Sequence, residues 1–306
     1  MNDVRLIAID WGTSSARAYG LGQRGDIVTE RSAPLGVQRM NGSGFADALS
    51  VLCGGEVPPG MPLIASGMIG SRQGWIEAPY CKCPTSFDAI AAALTNVPGT
   101  DLLIVPGLIC RDGSGVPDVI RGEETQVFGA LSEAIGTRQA VVLPGTHSKW
   151  VVAGPEGVET FATFMTGELY AVLREHSILG RLALAGSDDA AFDRGVRHSL
   201  RRDAAVMHDL FSARTLALTE ALAPTGVADY LSGLLLGAEI AAARVWLARQ
   251  KLERSTLTLL GDAALTTRYR HALALAEIDS EIGSADAAAR GLWRIARHAG
   301  MVNGGR

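Results

Sequence analysis

The sequence lacks most of the features that mark nucleic-acid, membrane and metal-binding proteins. Its 28 basic and 32 acidic residues give a formal net charge of −4, so no basic field would attract nucleic acid or an anionic membrane. No uninterrupted apolar run approaches the length of a membrane span or a signal-peptide core. The four cysteines form one C-x-C pair without a second, which favours reduced thiols over zinc or disulfides. We therefore expect a cytoplasmic protein with a small-molecule partner, no nucleic acid and no membrane.

Two further absences constrain where a nucleotide site or a domain boundary could lie. The Walker A pattern G-x-x-x-x-G-K-[ST] does not occur, so a phosphate site would need another kind of loop. No low-complexity linker interrupts the chain, whose 306 residues are 47% hydrophobic. Because about 150 residues per domain is a reasonable prior, we expect roughly two domains, each with its own core.

The order of apolar runs and turns is typical of an α/β protein that begins with an antiparallel meander. Three strand-like runs open the chain with Gly-containing turns between them, and helices and strands then alternate. The predicted strands are 5–9, 17–21, 26–31, 62–66, 101–105, 139–143, 149–153 and 257–260. The predicted helices are 45–53, 122–134, 167–179, 204–222, 228–247, one beginning near 265 and one over 285–298.

One strand-turn-strand pattern occurs twice. The turn Gly12-Thr13-Ser14-Ser15 aligns with Gly145-Thr146-His147-Ser148, and a basic residue follows each, Arg17 and Lys149. Glycine, threonine and serine at a strand end offer backbone N–H groups and hydroxyls that can surround phosphate oxygens, and an arginine can neutralise them. An ordinary hairpin turn is the alternative interpretation of the first turn taken alone.

An acid precedes only the first of these turns. Asp10 directly follows the first strand, whereas Leu143 stands at the corresponding place before the second turn. Mg²⁺ usually binds one or two carboxylates together with phosphate oxygens and waters. Asp10 is therefore the candidate metal ligand, and it is also a candidate catalytic residue.

The motifs in this order resemble the superfamily of sugar kinases, heat-shock-70 chaperones and actin, and more narrowly the 2-dehydro-3-deoxygalactonokinase family. The segments that carry the resemblance are "DWGTSSAR", "ASGMIGSRQGW", "EAPY", "RGEETQ", "LPGTHSKWV", "TFMTGELYAVL", "LLGDAALT" and "RGLWRIA". It implies an α/β fold of two ribonuclease-H-like (actin-like ATPase) lobes around an interlobe active-site cleft. We place the N-terminal lobe at 1–134, with the phosphate-1 hairpin, the sugar-acid loop and a connecting helix. The C-terminal lobe is 135–306, with the phosphate-2 hairpin and the adenosine motif, its last helix packing back on the first lobe.

The resemblance also implies an activity and its cofactors, ATP and Mg²⁺. Such an enzyme transfers the γ-phosphoryl group of ATP to the terminal (6-)hydroxyl of 2-dehydro-3-deoxy-D-galactonate in galactonate degradation. Phosphoryl transfer needs a carboxylate to orient the attacking hydroxyl. The segment "RGEETQVFGAL" resembles the glycerol-kinase segment whose aspartate is the base, so Glu123 and Glu124 are the catalytic candidates, and counting from Gly122 favours Glu123. Acids in a first helical turn also interact favourably with the helix dipole, without any catalytic role.

The remaining predicted contacts fall in two segments. The loop "SGMIGSRQGWIEAPY" is predicted to bind the sugar acid through Ser66, Arg72, Gln73, Trp75 and Glu77, with Arg72 on the carboxylate. A solvated surface loop is the alternative. The nucleotide contacts are predicted at Gly12, Thr13, Ser14, Ser15, Arg17, Gly145, Thr146, His147, Ser148, Lys149, Gly261 and Asp262. His147 could instead support its own turn.

Three alternatives stay open at this stage. The substrate could be another sugar or sugar acid, because stereochemistry depends on pocket geometry. The chain could be a non-catalytic nucleotide-binding regulator of the same fold. It could also be a phosphatase-like member that hydrolyses phosphate without needing a sugar acid. A homodimer is left open.

Overall fold

The computed structural model describes residues 3–40, 44–131, 137–201 and 206–302. The strands are β1 (Leu6–Trp11), β2 (Ala16–Leu21), β3 (Ile27–Ala33), β4 (Leu63–Gly67), β5 (Tyr80–Lys82), β6 (Thr85–Ser86), β7 (Thr95–Asn96), β8 (Leu102–Ile104), β9 (Gly107–Arg111), β10 (Pro117–Ile120), β11 (Gln139–Leu143), β12 (Ser148–Gly154), β13 (Gly157–Phe164), β14 (Leu257–Leu259) and β15 (Ser280–Ile282). The helices are α1 (Val37–Met40), α2 (Phe45–Cys53), α3 (Phe87–Ala92), α4 (Glu123–Ala130), α5 (Thr166–His176), α6 (Asp189–Leu200), α7 (Val206–Asp209), α8 (Ser212–Leu218), α9 (Val227–Arg249), α10 (Ala263–Leu275) and α11 (Ala287–His298).

The chain divides into two units made of interleaved segments. The first is Met1–Arg138, Ala153–Phe161 and Ser284–Arg306, and the second is Gln139–Val152 and Ala162–Gly283. The sequence-based division at residues 134 and 135 stays a prediction.

The first unit is built on a mixed sheet whose strand order is β3-β2-β1-β4-β8-β7. Strand β1 runs antiparallel to β2 and parallel to β4, so Asp10 stands between Arg17 on one side and Ser66 on the other. All five residues of β4 are buried, as expected of a central parallel strand covered on both faces. A smaller sheet has the order β10-β9-β5. The sheet therefore positions the end of β1 beside the end of β4.

Two helices of the first unit approach each other through glycines. A Cβ atom on Gly291 of α11 would lie 1.7 Å from the carbonyl oxygen of Thr125, and one on Gly129 of α4 would lie 1.8 Å from that of Ala287. Only glycine permits this backbone contact. Helix α4, which carries both candidate glutamates, is therefore held firmly against α11.

The second unit contains the strands β15, β14 and β11 and most of β12, in the sheet order β15-β14-β11-β12. Helix α9 packs against α6, where a Cβ atom on Gly233 would lie 2.2 Å from the carbonyl oxygen of Phe192. The stretch Pro224–Arg249 is long and apolar enough to cross a membrane by length and composition alone. More than half of that stretch is buried within the structure, which is the environment of a core helix. It also carries the buried acids Asp229 and Glu239.

The opening meander, the strands around both G-T-x-S turns and the helices near 45–53, 228–247 and 285–298 are confirmed, with ends shifted by at most two residues. The predicted helix 204–222 is wrong as one element, because the chain forms α7 and α8 with a break between them. Residues 132–134 and 204–205 of two predicted helices lie outside the described residues. The short elements α3, β5, β9, β10 and β15, together with α6 and β13, were not predicted, since most are too short to show a period.

Candidate active site

The first G-T-x-S turn presents its hydroxyls to solvent. The Gly12 N–H donates to the Ser15 carbonyl over 2.9 Å, which closes the turn, and residues Thr13, Ser14 and Ser15 are exposed. The carbonyls of Gly12 and Thr13 each accept, over 3.1 Å, from backbone N–H groups of α1 and its neighbourhood. The turn is therefore braced by the following segment, while its three side chains stay accessible.

Three chain segments meet in backbone contact beside this turn. Gly67, at the end of β4, has φ +95°, and a Cβ atom there would lie 2.6 Å from the Trp11 carbonyl oxygen. Gly122, just before α4, has φ +105°, and its Cβ would lie 3.1 Å from the Cα of Gly67. The two glycines let the start of α4 reach the ends of β1 and β4. This arrangement brings the predicted residues Asp10 and Glu123 into one electrostatic environment.

The carboxyl of Asp10 has an unusual affinity for its proton. Burial raises the pKa of Asp10 to about 6, the nearby Arg17 lowers it, and the charge of Glu123 raises it again. Arg17 has a half-exposed side chain that forms an ion pair with Glu30, with 3.4 Å between Nε and Oε1. A carboxyl whose ionisation is opposed by burial and by a neighbouring acid favours a bound cation.

The two glutamates of α4 occupy different environments. The Oε2 atom of Glu123 accepts from the Arg121 N–H over 3.0 Å, and its side chain is only partly buried. Glu124 is fully buried, and its Oε2 atom accepts from the Gly122 N–H over 2.6 Å. Burial, followed by the charge of Glu123, raises the pKa of Glu124 to about 8. Glu124 is thus a neutral acid at pH 7, whereas the Glu123 carboxyl has access to solvent.

Arg121 is a site residue that sequence analysis missed. Its Nη2 atom donates to the Ala78 carbonyl over 2.8 Å, and its guanidinium lies over the ring of Tyr80, 4.4 Å from the centroid. Its Nε and Nη1 atoms are buried without a hydrogen-bond partner among the described residues. Arg121 therefore joins the end of the sugar-acid loop to the start of α4. Its position directly before "GEE" was the available signal.

The predicted sugar-acid residues are not all equally placed. Ser66 is fully buried and shares a 3.2 Å hydrogen bond with the hydroxyl of Thr125 in α4. Trp75 stacks on Phe45, 5.8 Å between centroids, and is partly buried. Arg72 and Glu77 form an exposed ion pair over 3.0 Å, and Gln73 is exposed. Ser66 and Trp75 belong to the framework of the loop, whereas the other three side chains face solvent.

The second G-T-x-S turn lies in the second unit and is held by hydrogen bonds to Lys149 and to the start of α5. Lys149 is buried, and its Nζ atom donates to the His147 carbonyl over 3.0 Å. The imidazole Nε2 of His147 pairs with the carboxylate of Glu168 near the start of α5. The Glu168 N–H donates to the Thr146 carbonyl over 2.9 Å. The Lys149 side chain is therefore directed at the backbone of its own turn, and His147 contacts the start of α5.

The predicted adenosine motif lies beside this second turn. Gly261 has φ +129°, and a Cβ atom there would lie 3.6 Å from the Pro144 carbonyl oxygen. The Oδ1 atom of Asp262 caps α10 by accepting from the N–H groups of Ala264 and Leu265. Gly261 thus has a backbone conformation that favours glycine, while Asp262 has a structural function as a helix cap.

The donor set of the first unit fits a hydrated magnesium ion. Among the described residues no three His, Cys, Asp or Glu side chains are grouped as a metal cluster, but Mg²⁺ held with a phosphate needs only one or two carboxylates. Asp10 supplies one at the strand end, and Glu123 lies near enough to affect its pKa.

The strands and helices described above define a mixed α/β protein. The activator of 2-hydroxyisocaproyl-CoA dehydratase from Clostridium difficile, solved with bound ADPNP, superposes with a TM-score of 0.51 at 11% identity, covering 96% of this chain and 95% of its own. At that identity the likeness concerns the fold alone.

The chain belongs to the 2-keto-3-deoxy-galactonokinase family, whose model matches residues 10–295. It is 36% identical to the 2-dehydro-3-deoxygalactonokinase of Escherichia coli over 296 residues, covering 96% of this chain and 98% of the relative. A crystal structure of a Sinorhizobium meliloti protein assigned as a 2-dehydro-3-deoxygalactonokinase has a TM-score of 0.86 at 37% identity, covering 95% of this chain and 98% of its own.

Proposed function

We propose that the protein is a kinase that transfers the γ-phosphoryl group of ATP to the terminal (6-)hydroxyl of 2-dehydro-3-deoxy-D-galactonate. The observation that carries the proposal is the convergence of Asp10 and Glu123 where Gly67 and Gly122 touch, in a chain of the galactonokinase family. Phosphoryl transfer asks a protein mainly to position its reactants and to neutralise charge. A phosphate-type turn beside two acids meets both demands.

Glu123 is the general base in this proposal. It is the less buried of the two acids of α4, so it can come within hydrogen-bond reach of a substrate hydroxyl. Glu124, with a pKa raised to about 8, keeps its proton at neutral pH and fixes the Gly122 N–H. Glu123 therefore orients the 6-hydroxyl and accepts its proton, while Glu124 holds the helix start in place.

Asp10 would hold the magnesium ion, which when bound neutralises the phosphate oxygens of ATP. The exposed turn Gly12 to Ser15 binds phosphate through its N–H groups and hydroxyls, and Arg17 holds Asp10 in its charged form. In the second unit, the turn from Gly145 to His147 and the backbone of Gly261 bind the rest of the nucleotide, while Ser148 is fully buried and its hydroxyl donates to the Phe164 carbonyl. Lys149 and Asp262 act by shaping those segments, since their polar atoms are bonded within them.

The sugar acid is proposed to bind at the loop after β4. Arg72 pairs with the substrate carboxylate in exchange for Glu77, and Gln73 and Glu77 contact hydroxyls. Ser66 and Trp75 support the loop through Thr125 and Phe45. Cytoplasmic location, a homodimer and a small-molecule partner remain parts of the proposal.

The test is a coupled assay of ADP release with a panel of 2-keto-3-deoxy sugar acids that includes the C4 epimers, with Asp10→Asn as the inactive control. Release that depends on 2-dehydro-3-deoxy-D-galactonate and exceeds release with its epimer supports the proposal. Equal release with another sugar or sugar acid would shift the substrate. Tight ATP binding with no acid-dependent release would instead indicate the non-catalytic regulator.

A further inference from the structure

A buried carboxylate lies in the middle of the second unit, on a helix that is otherwise apolar. Glu239 of α9 is 3% exposed, and its charge is costly there unless it is fully hydrogen-bonded. Trp150 Nε1 donates to its Oε1 atom over 2.8 Å, and the Tyr269 hydroxyl donates to its Oε2 atom over 3.0 Å. Burial raises the pKa of Glu239, and the nearby hydroxyls of Thr166 and Ser148 are among the groups that lower it.

These four neighbours of Glu239 come from the elements that carry the proposed nucleotide contacts. Ser148 closes the second G-T-x-S turn and begins β12. Thr166 begins α5, whose next residue, Gly167, would place a Cβ atom 2.5 Å from the Gly145 carbonyl oxygen. Tyr269 lies on α10, the helix that Asp262 caps directly after Gly261. One side chain therefore connects the phosphate-binding turn with the start of the adenosine motif.

The mechanism already described does not use Glu239, and packing does not explain it. A leucine would suit the apolar surroundings, which include Ile240 and Leu236. A carboxylate can accept about four hydrogen bonds. At this place it can therefore connect several elements, which a leucine cannot do. Two donors, from β12 and α10, reach its oxygens, and the hydroxyls at the starts of β12 and α5 lie beside them.

We propose that Glu239 is a positioning residue for the nucleotide, fixing the second G-T-x-S turn relative to the Gly261 segment. The inference rests on the proposed nucleotide contacts of the second unit. Loss of the carboxylate should loosen both segments together, so nucleotide binding should weaken while binding of the sugar acid, at the loop of the first unit, should not.

The experiment measures ADP binding by calorimetry, separate KM values for ATP and the sugar acid, and thermal unfolding. Glu239→Gln keeps the size of the side chain but turns an amide NH₂ towards donors, and we expect an ADP Kd and an ATP KM about tenfold higher. Tyr269→Phe and Ser148→Ala, which each remove one hydroxyl beside the carboxylate, should shift the same constants by less. Ile240→Ala is the matched control on α9, because it removes buried apolar contacts without touching the network.

The control should lower Tm and leave the ADP Kd unchanged. The inference is overturned if Glu239→Gln binds ADP as the original protein does, or if it raises both KM values equally. If Glu239→Gln does not fold, an unchanged ADP Kd in both Tyr269→Phe and Ser148→Ala would overturn it as well. ADP binding by the original protein without acid-dependent ADP release would reject the proposed kinase reaction only, and this comparison would still stand.

Discussion

Gly122 and Gly67 lie in backbone contact, so close that a Cβ atom on Gly122 would come within 3.1 Å of the Cα of Gly67. Both have positive φ, which L side chains adopt at a cost. This contact sets the distance between α4, with its two glutamates, and the end of β1, with Asp10. The geometry of the proposed site is therefore decided by two residues that carry no chemistry.

Gly67→Ala should reduce kcat strongly and also destabilise the fold. The added methyl group would lie 2.6 Å from the Trp11 carbonyl oxygen, so the backbone of β4 has to move away from β1. We expect a loss of about 1–3 kcal/mol in the free energy of unfolding from the strained φ, with the steric clash in addition. The measurement is kcat together with urea denaturation. Gly60→Ala is the control, because Gly60 has φ +76° with nothing within 4 Å. Equal losses of kcat in both variants would show that the contact is not important.

Glu123→Gln and Glu124→Gln should differ sharply in kcat. Removing a general base typically lowers kcat by about 10²–10⁴, and we expect a loss of this size for Glu123→Gln with the KM for ATP nearly unchanged. Glu124→Gln should cost only a few-fold, because that side chain is already neutral at pH 7 and glutamine still offers an oxygen to the Gly122 N–H. The assay is steady-state ADP release. A greater loss in Glu124→Gln would reverse the two roles.

The acid limb of the pH profile should report Asp10. Its pKa is raised to about 6, and the proposed magnesium site needs the charged form, so kcat/KM should fall as the pH drops below about 6. Arg17 lowers the pKa of Asp10, so Arg17→Gln should move this limb to higher pH. Arg24→Gln, on the exposed turn between β2 and β3, controls for the loss of a surface charge. An acid limb at the same pH in Arg17→Gln and in the original protein would contradict the assignment.

Glu124 should make the fold less stable as the pH rises. Its pKa moves from 4.5 to about 8 on folding, so the folded state holds the proton more tightly than the unfolded state. The stability that this gives is complete below about pH 4.5 and is lost as the pH rises towards 8. Glutamine cannot lose a proton, so Glu124→Gln should gain in Tm relative to the original protein across this range. Differential scanning at several pH values measures it, with Glu156→Gln on the β12–β13 turn as a surface control. A difference in Tm that does not vary with pH would contradict it.

The sequence predicted the two turns and the meander because periodic strands and G-T-x-S turns are local signals. The difference in burial between Glu123 and Glu124 could not be predicted, since burial depends on the packing of α4 against α11. Arg121 and Glu239 were not predicted for the same reason: each is hydrogen-bonded to residues far away in sequence, Arg121 to Ala78 and Glu239 to Trp150. The burial of Lys149, which was predicted as a nucleotide contact, and its bond to the His147 carbonyl depend on the fold of the turn and could not be predicted either.

Arg72 tests whether the loop after β4 binds the sugar acid or is a solvated surface loop. Its side chain is 87% exposed and pairs with Glu77, so a carboxylate of the sugar acid would have to replace that partner. If it does, Arg72→Ala should raise the KM for the sugar acid about tenfold, with the KM for ATP unchanged, because a charge-assisted pair is lost. Glu77→Gln removes the acid that competes with the substrate carboxylate for Arg72. The KM for the sugar acid should therefore fall, provided that losing the Glu77 contact with a substrate hydroxyl has the smaller effect. Arg39→Ala, at the end of α1, is the charge-matched control. An unchanged KM in Arg72→Ala would place this arginine outside the site. Arg121, which lies before α4 and contacts the end of this loop, would then be the next cation to test.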